Sequence, residues 1–176
     1  MYANSPTHPL SLVVLIVETG EIVGKLAMGA HSVSITDLRV PPYVKNGTNN
    51  AAILDCLYSL RPEEQSADSG LVVKWFFNKS PNPVYQWIHN QKPQGLGVLK
   101  GRLWLDYRAS DNNATAYRAL YILNPTVELS GEYKCIVSTN VDEDFSIKRM
   151  IVWGECKILI SFFPAYSYTI FIESRI

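Results

Sequence analysis

The sequence predicts an all-β fold, a sandwich or barrel of antiparallel strands, on three observations. From about residue 33 to residue 152 the chain is built of short runs in which apolar and polar residues alternate. Clusters of Gly, Pro, Asn and Asp separate those runs as turns would. No stretch carries apolar residues at the 3.6-residue period of a long helix, and no segment repeats another.

The chain has 176 residues, room for one domain of ordinary size with short flanks. Hydrophobic residues make up 47% and charged residues 18%, a globular composition. Lys plus Arg and Asp plus Glu balance at 16 each, so no net field favours nucleic acid or an acidic membrane surface. Three cysteines are too few for a small disulfide-framework scaffold, and they lack the CxxC spacing of a zinc site.

Residues 1–32 read as a signal peptide or as flank. The uncharged run Leu10 to Val17 has roughly the length of a signal-peptide core, but no Lys or Arg precedes it and Glu18 and Glu21 follow closely. Residues 153–176 form a tail expected to be a truncated second domain or a weak membrane segment. Its uncharged stretch, Ile158 to Ile172, is 15 residues long, short of the roughly 20 a spanning helix needs, and Pro164 interrupts it. Cys156, in this tail, reads as a buried thiol or an intermolecular partner, with no native role favoured.

Within 33–152 the first strong strand is Ala52 to Tyr58, where Ala52, Leu54, Cys56 and Tyr58 share one face. A polar loop, Arg61 to Gly70, follows. The next strand, Leu71 to Phe77, puts Val73, Trp75 and Phe77 on one face. Tyr117 to Leu123 alternates again, with Leu120 and Ile122 together. Tyr133 to Val137 and Phe145 to Val152 complete the set.

Cys56, then Trp75, then Leu120-x-Ile122, then Gly131-x-Tyr133-x-Cys135 follow the order of strands B, C, E and F in an immunoglobulin domain, which the sequence resembles. The resemblance implies a Cys56–Cys135 disulfide with Trp75 packed on it and Leu120 in the core. It also implies a tyrosine corner at Tyr133, whose hydroxyl bonds back to backbone near the E–F turn. The 44 residues between Trp75 and Leu120 leave room for C′ (Val84 to His89), C″ (near Val98) and D (Gly101 to Tyr107). With that room, the resemblance implies that 33–152 is an immunoglobulin-like β-sandwich of the variable type, with Greek-key connections. The last strand lacks the Phe-Gly-x-Gly stretch of antibody and T-cell receptor segments.

From Leu38 to Val152, about two thirds of the chain, the sequence further resembles the beaten-path family of insect surface proteins. The likeness lies in Leu38-Arg39-Val40-Pro41, Val73-Lys74-Trp75-Phe76 and Ser130-Gly131-Glu132-Tyr133-Lys134-Cys135. It implies a secreted or membrane-attached cell-surface protein that binds another immunoglobulin-superfamily ectodomain in axon guidance or adhesion. Two departures stand out: no second domain is evident after Trp153, and Leu129 replaces the acidic residue usual two positions before the corner glycine. That departure weakens the expectation of the usual ion pair from that site to an Arg at the start of strand D.

A partner-binding face follows from the alternation. If Trp75 points inward, Lys74 and Phe76 point out, as do Lys134 and Ile136 from strand F. C′ adds Tyr85 and Trp87, or in the other register Val84, Gln86 and Ile88. An aromatic-aliphatic cluster with charged edges has the composition of an interface. The protein partner is expected to be another immunoglobulin-superfamily ectodomain, with a homodimer as an alternative and no nucleic acid. A soluble immune-type binder of microbial or small ligands is the second reading.

Three glycosylation sequons occur, at Asn46, Asn78 and Asn113, all in turn-like sequence; Pro81 follows the second. His8, His31 and His89 are far apart and read as solvated loop residues, and no hydrolase, kinase or dinucleotide motif occurs. Asp142-Glu143-Asp144 lacks the alternating spacing of a calcium loop and reads as the F–G turn. No catalytic residues, metal or cofactor are expected.

Overall fold

The computed structural model describes residues 33–47 and 50–154 in full, and the backbone of 156–162 and 166–172. The signal-peptide reading of 1–32, His8, His31 and the Cys156 side chain lie outside the described residues.

Strand β1 (Val33–Arg39) pairs antiparallel with β3 (Ala51–Leu60), which pairs with β7 (Leu120–Leu123) in a three-stranded sheet. The second sheet has the order β2 (Tyr43–Lys45), β9 (Glu143–Trp153), β8 (Gly131–Ser138), β4 (Val72–Phe77), β5 (Tyr85–Ile88), β6 (Gln94–Gly95). The chain crosses between sheets at Val40-Pro41-Pro42. Proline has no N–H to continue the β1 ladder, and the Pro42 carbonyl instead accepts from Ile151 N at 3.0 Å. From there β2 runs parallel to β9, Tyr43 opposite Ile151 through Lys45 opposite Trp153.

Period-two alternation packs the sheets together. Leu54 and Cys56 from β3, Val73 and Trp75 from β4, Leu120 and Ile122 from β7, and Tyr133 and Cys135 from β8 are all completely buried. A disulfide joins Cys56 to Cys135 across the two sheets, with the Cα atoms 6.4 Å apart. Trp75 lies directly opposite Cys135 in the β4–β8 ladder. This is the variable-type immunoglobulin sandwich, with β3, β4, β5, β6, β7, β8 and β9 as strands B, C, C′, C″, E, F and G.

Strand D does not form as expected, and C″ forms earlier in the chain than expected. Gly101 to Tyr107 contributes a single bridge, Leu103 opposite Ile122, and otherwise turns. C″ lies at Gln94–Gly95 and Val98 follows it, exposed, in a 3₁₀ turn. Gly97 and Gly101, both at positive φ, bend the chain there away from extended geometry. The strand D ion pair exists with a shifted partner. Arg102 Nη1 donates to Thr126 Oγ1 at 2.9 Å, and its Nη2 lies 3.5 Å from Glu128 Oε1. Glu128 stands one residue before Leu129, and Leu129 itself is buried.

At the tyrosine corner the Tyr133 hydroxyl donates to Leu129 O at 2.9 Å, and burial pushes that phenol's pKa up, keeping it a donor. Tyr133→Phe is expected to lower stability by about 1 kcal/mol. The check is a lower urea midpoint at unchanged slope. Gly131, two residues earlier, is required by packing: a Cβ there would collide with the Asn78 side chain and the Phe77 ring.

After Gly154, β10 (Cys156–Phe162) and β11 (Tyr166–Ile172) pair antiparallel, Cys156 opposite Ile172 and Phe162 opposite Tyr166. Among the described residues no helix is long and apolar enough to cross a membrane.

Candidate protein-binding face

The outward side of β9, β8, β4 and β5 is organised by the ladder register into rows. Gln86, Lys74, Ile136 and Phe145 form one row, and Phe76, Lys134 and Ile147 the next. Flanking rows place Ile88, Val72, Ser138 and Glu143 on one side and Glu132 with Arg149 on the other. Directly opposed residues in such ladders have Cβ atoms about 5 Å apart, so each row is continuous. The Lys134 Nζ sits 4.1 Å from the centre of the Phe145 ring, a cation–π contact linking the rows. Phe76, Ile136 and Ile147 wall a groove of ≈ 340 Å³, with Lys79, Glu132 and Lys134 around it.

Four of the six sequence-derived face residues come together here: Phe76, Ile136, Lys74 and Lys134. Tyr85 and Trp87 do not. They point into the core, with 3% and 1% of their surface exposed, and Val84 before them is also buried. The outward C′ residues are Gln86 and Ile88, both half-buried. Aromatic rings with polar tips can be buried when the tips find acceptors. Tyr85 Oη donates to Tyr117 O at 2.6 Å and Trp87 Nε1 to Gln91 O at 3.2 Å.

Two residues that the sequence reading missed complete the face. Phe145 and Ile147 on β9 are 55% and 49% exposed. The same strand turns Asp144 and Ser146 to the other side, where Asp144 Oδ2 accepts from Ile35 N at 2.7 Å. Apolar side chains out and polar side chains in is the reverse of the usual pattern. The signal was in the alternation itself: Met150 and Val152 fix the inward parity, and Phe145 and Ile147 fall on the opposite one.

Asp142-Glu143-Asp144 is only partly a turn, because Glu143 and Asp144 open β9. Asp144 is committed to backbone, accepting from Phe145 N at 2.8 Å through its other oxygen. The F–G turn is tied to the B–C loop. Thr139 Oγ1 donates to the buried Glu64 at 2.9 Å, and Asn140 Nδ2 to Asp68 O at 2.9 Å. His89 is half-buried, its ring edge-on to Trp87 at 6.2 Å, rather than solvated.

The sequons occupy three settings. Asn78 opens the β4–β5 connection with Lys79, both at positive φ as the centre of a type I′ turn requires, with Ser80 N donating to Phe77 O at 3.0 Å, and Asn78 Oδ1 accepts from Glu132 N at 3.0 Å. Asn46 is half-buried after β2, and Asn113 is exposed at the tip of a loop.

On the opposite sheet Trp104, Tyr107 and Tyr121 form a second aromatic group, with ring centres 5.0–6.0 Å apart. Trp104 is half exposed. Asp55 and Arg118 lie in the same sheet region as a bidentate ion pair, at 2.7 and 3.1 Å.

No protein-family model matches the chain, and no curated protein does. Among solved structures it is similar to the human B7-H4 IgV-like domain, at 15% identity and a TM-score of 0.47, over 70% of this chain and 99% of that one. It is similar to an amphioxus IgVJ-C2 molecule at 21% identity and 0.46, over 66% and 59%. Extracellular domains 3–5 of Drosophila OTK match at 15% and 0.46, over 72% and 38%. At these identities and scores the likeness is one of general form, and no residue role passes from those proteins to this chain.

Proposed function

We propose that this domain is an extracellular recognition module whose β9–β8–β4–β5 face docks another protein, an immunoglobulin-superfamily ectodomain. The observation that carries the reading is the inverted polarity of β9, which presents Phe145 and Ile147 to solvent beside Phe76 and Ile136. Exposed apolar residues in a contiguous set, rimmed by charge, mark interaction sites. The disulfide supports an oxidising, extracellular compartment. The face carries Lys74, Lys79, Lys134 and Arg149 against Glu132 and Glu143, so it is complementary to a partner with an acidic rim rather than to itself. The resemblance to beaten-path proteins supports a role in axon guidance or adhesion.

Phe76→Glu with Ile136→Glu is expected to weaken partner binding at least about thirtyfold, the scale of a hot-spot loss of roughly 2 kcal/mol. Binding is measured against a panel of immunoglobulin-superfamily ectodomains. Ile53→Glu, on the exposed side of the other sheet, serves as the control and leaves binding intact. If the double variant, folded with an unchanged melting curve, still binds the partner at full strength, this face is not the site.

A further inference from the structure

Beyond the docking face, a polar pocket lies between the β5–β6 turn and the loop that carries Asn113. Its volume is ≈ 260 Å³, below the ≈ 300–1,000 Å³ of drug-sized sites, and it is bordered by Asn90 and Lys92 on one side and by Arg108, Asn113 and Tyr117 on the other. Trp87 lies at its base, edge-on to Tyr117 with ring centres 5.8 Å apart. The loop is firmly held. Three buried aromatic tips bond its carbonyls: Tyr58 Oη to Ala114 O (2.7 Å), Tyr85 Oη to Tyr117 O (2.6 Å) and Trp75 Nε1 to Arg118 O (3.1 Å).

Asn113 is therefore held in a fixed place at the pocket rim. It is the second residue of a turn closed by Thr115 N to Asn112 O at 3.0 Å. Arg108 Nη2 donates to Asn113 Oδ1 at 3.2 Å, which orients the carboxamide and leaves Nδ2, the atom a glycan would be attached to, outside that bond. The Arg108 guanidinium also lies over the Tyr117 ring at 5.5 Å, a flat and weakly hydrated surface. A sugar ring needs such a surface for its C–H face and donors such as Lys92 for its oxygens.

We propose that Asn113 carries an N-linked glycan whose first N-acetylglucosamine docks in this pocket, bridging the β5–β6 turn to the Asn113 loop. Tethering makes the contact intramolecular, so the effective sugar concentration is high and even weak docking is well populated.

The test is production in a glycosylating secretory host, with site occupancy read by peptide mass. The protein is compared intact, trimmed by endoglycosidase to one sugar per site, and as Thr115→Ala, which removes the sequon but keeps Asn113. Thr115→Ser preserves the sequon, and Asn113→Gln is the second glycan-free variant. Expected is an occupied Asn113, with intact, trimmed and Thr115→Ser proteins alike in melting temperature and in amide exchange at residues 90–92. Both glycan-free variants should melt about 4 °C lower and exchange roughly fivefold faster at 90–92. An unmodified Asn113 overturns the proposal, as does an occupied Asn113 whose removal leaves exchange at 90–92 unchanged.

Discussion

Cys56→Ala and Cys135→Ala are each expected to abolish recovery of folded protein from a secreting host. The bridged residues are 79 apart in sequence, and closing a loop of that length restricts the unfolded chain by about 4–5 kcal/mol on the chain-entropy account. The whole stability of a domain is about 5–15 kcal/mol, so loss of the bridge removes roughly a quarter of it or more. Each single variant also strands a thiol at a completely buried position in contact with the core. The double variant, which leaves no thiol there, separates the two effects. Secreted yield and a denaturant midpoint measure the result, and normal yield with an unchanged midpoint would show that the bridge contributes nothing.

Trp75→Ala is the second large effect, an expected loss of about 3–5 kcal/mol. Trp75 is among the largest fully buried side chains and stands opposite Cys135, so its removal empties space beside the disulfide that neighbouring strands cannot close. It also releases the Arg118 carbonyl, one of the three anchors of the Asn113 loop. Trp75→Phe restores most of the volume but not the N–H. It should recover most of the stability while leaving amide exchange of residues 114–118 faster than in the parent. Equal exchange in parent and Phe variant would mean the indole bond does not hold that loop.

Much of the fold was legible because its core strands obey a simple period. Along β3 and β4 every second residue is apolar, and those residues are the buried ones. The face was half legible. Phe76 and Ile136 follow from Trp75 and Cys135 by parity alone, whereas Tyr85 and Trp87 were misplaced. Hydrophobicity cannot tell which register of C′ is buried, and the deciding groups are backbone acceptors at Tyr117 and Gln91, distant or local turns no pattern reveals. Phe145 and Ile147 were missed for the converse reason, because apolar residues in a strand are ordinarily read as core. Strand D gave way to turns where Gly97 and Gly101, both at positive φ, bend the chain out of extended geometry, and Leu103 is the one residue of its segment with a ladder partner.

The parallel pairing of β2 with β9 has a mechanical consequence. The chain enters β2 at Tyr43 and leaves β9 at Trp153, opposite ends of one short parallel ladder. Tension reaching those two points pulls the strands past each other, loading the Ile151 N to Pro42 O and Asn46 N to Trp153 O bonds at the same time. Bonds strained together in shear must fail together, whereas an antiparallel hairpin pulled at its open end gives way one rung at a time. Traction applied between those two points is thus borne by the whole ladder at once, with very few hydrogen bonds.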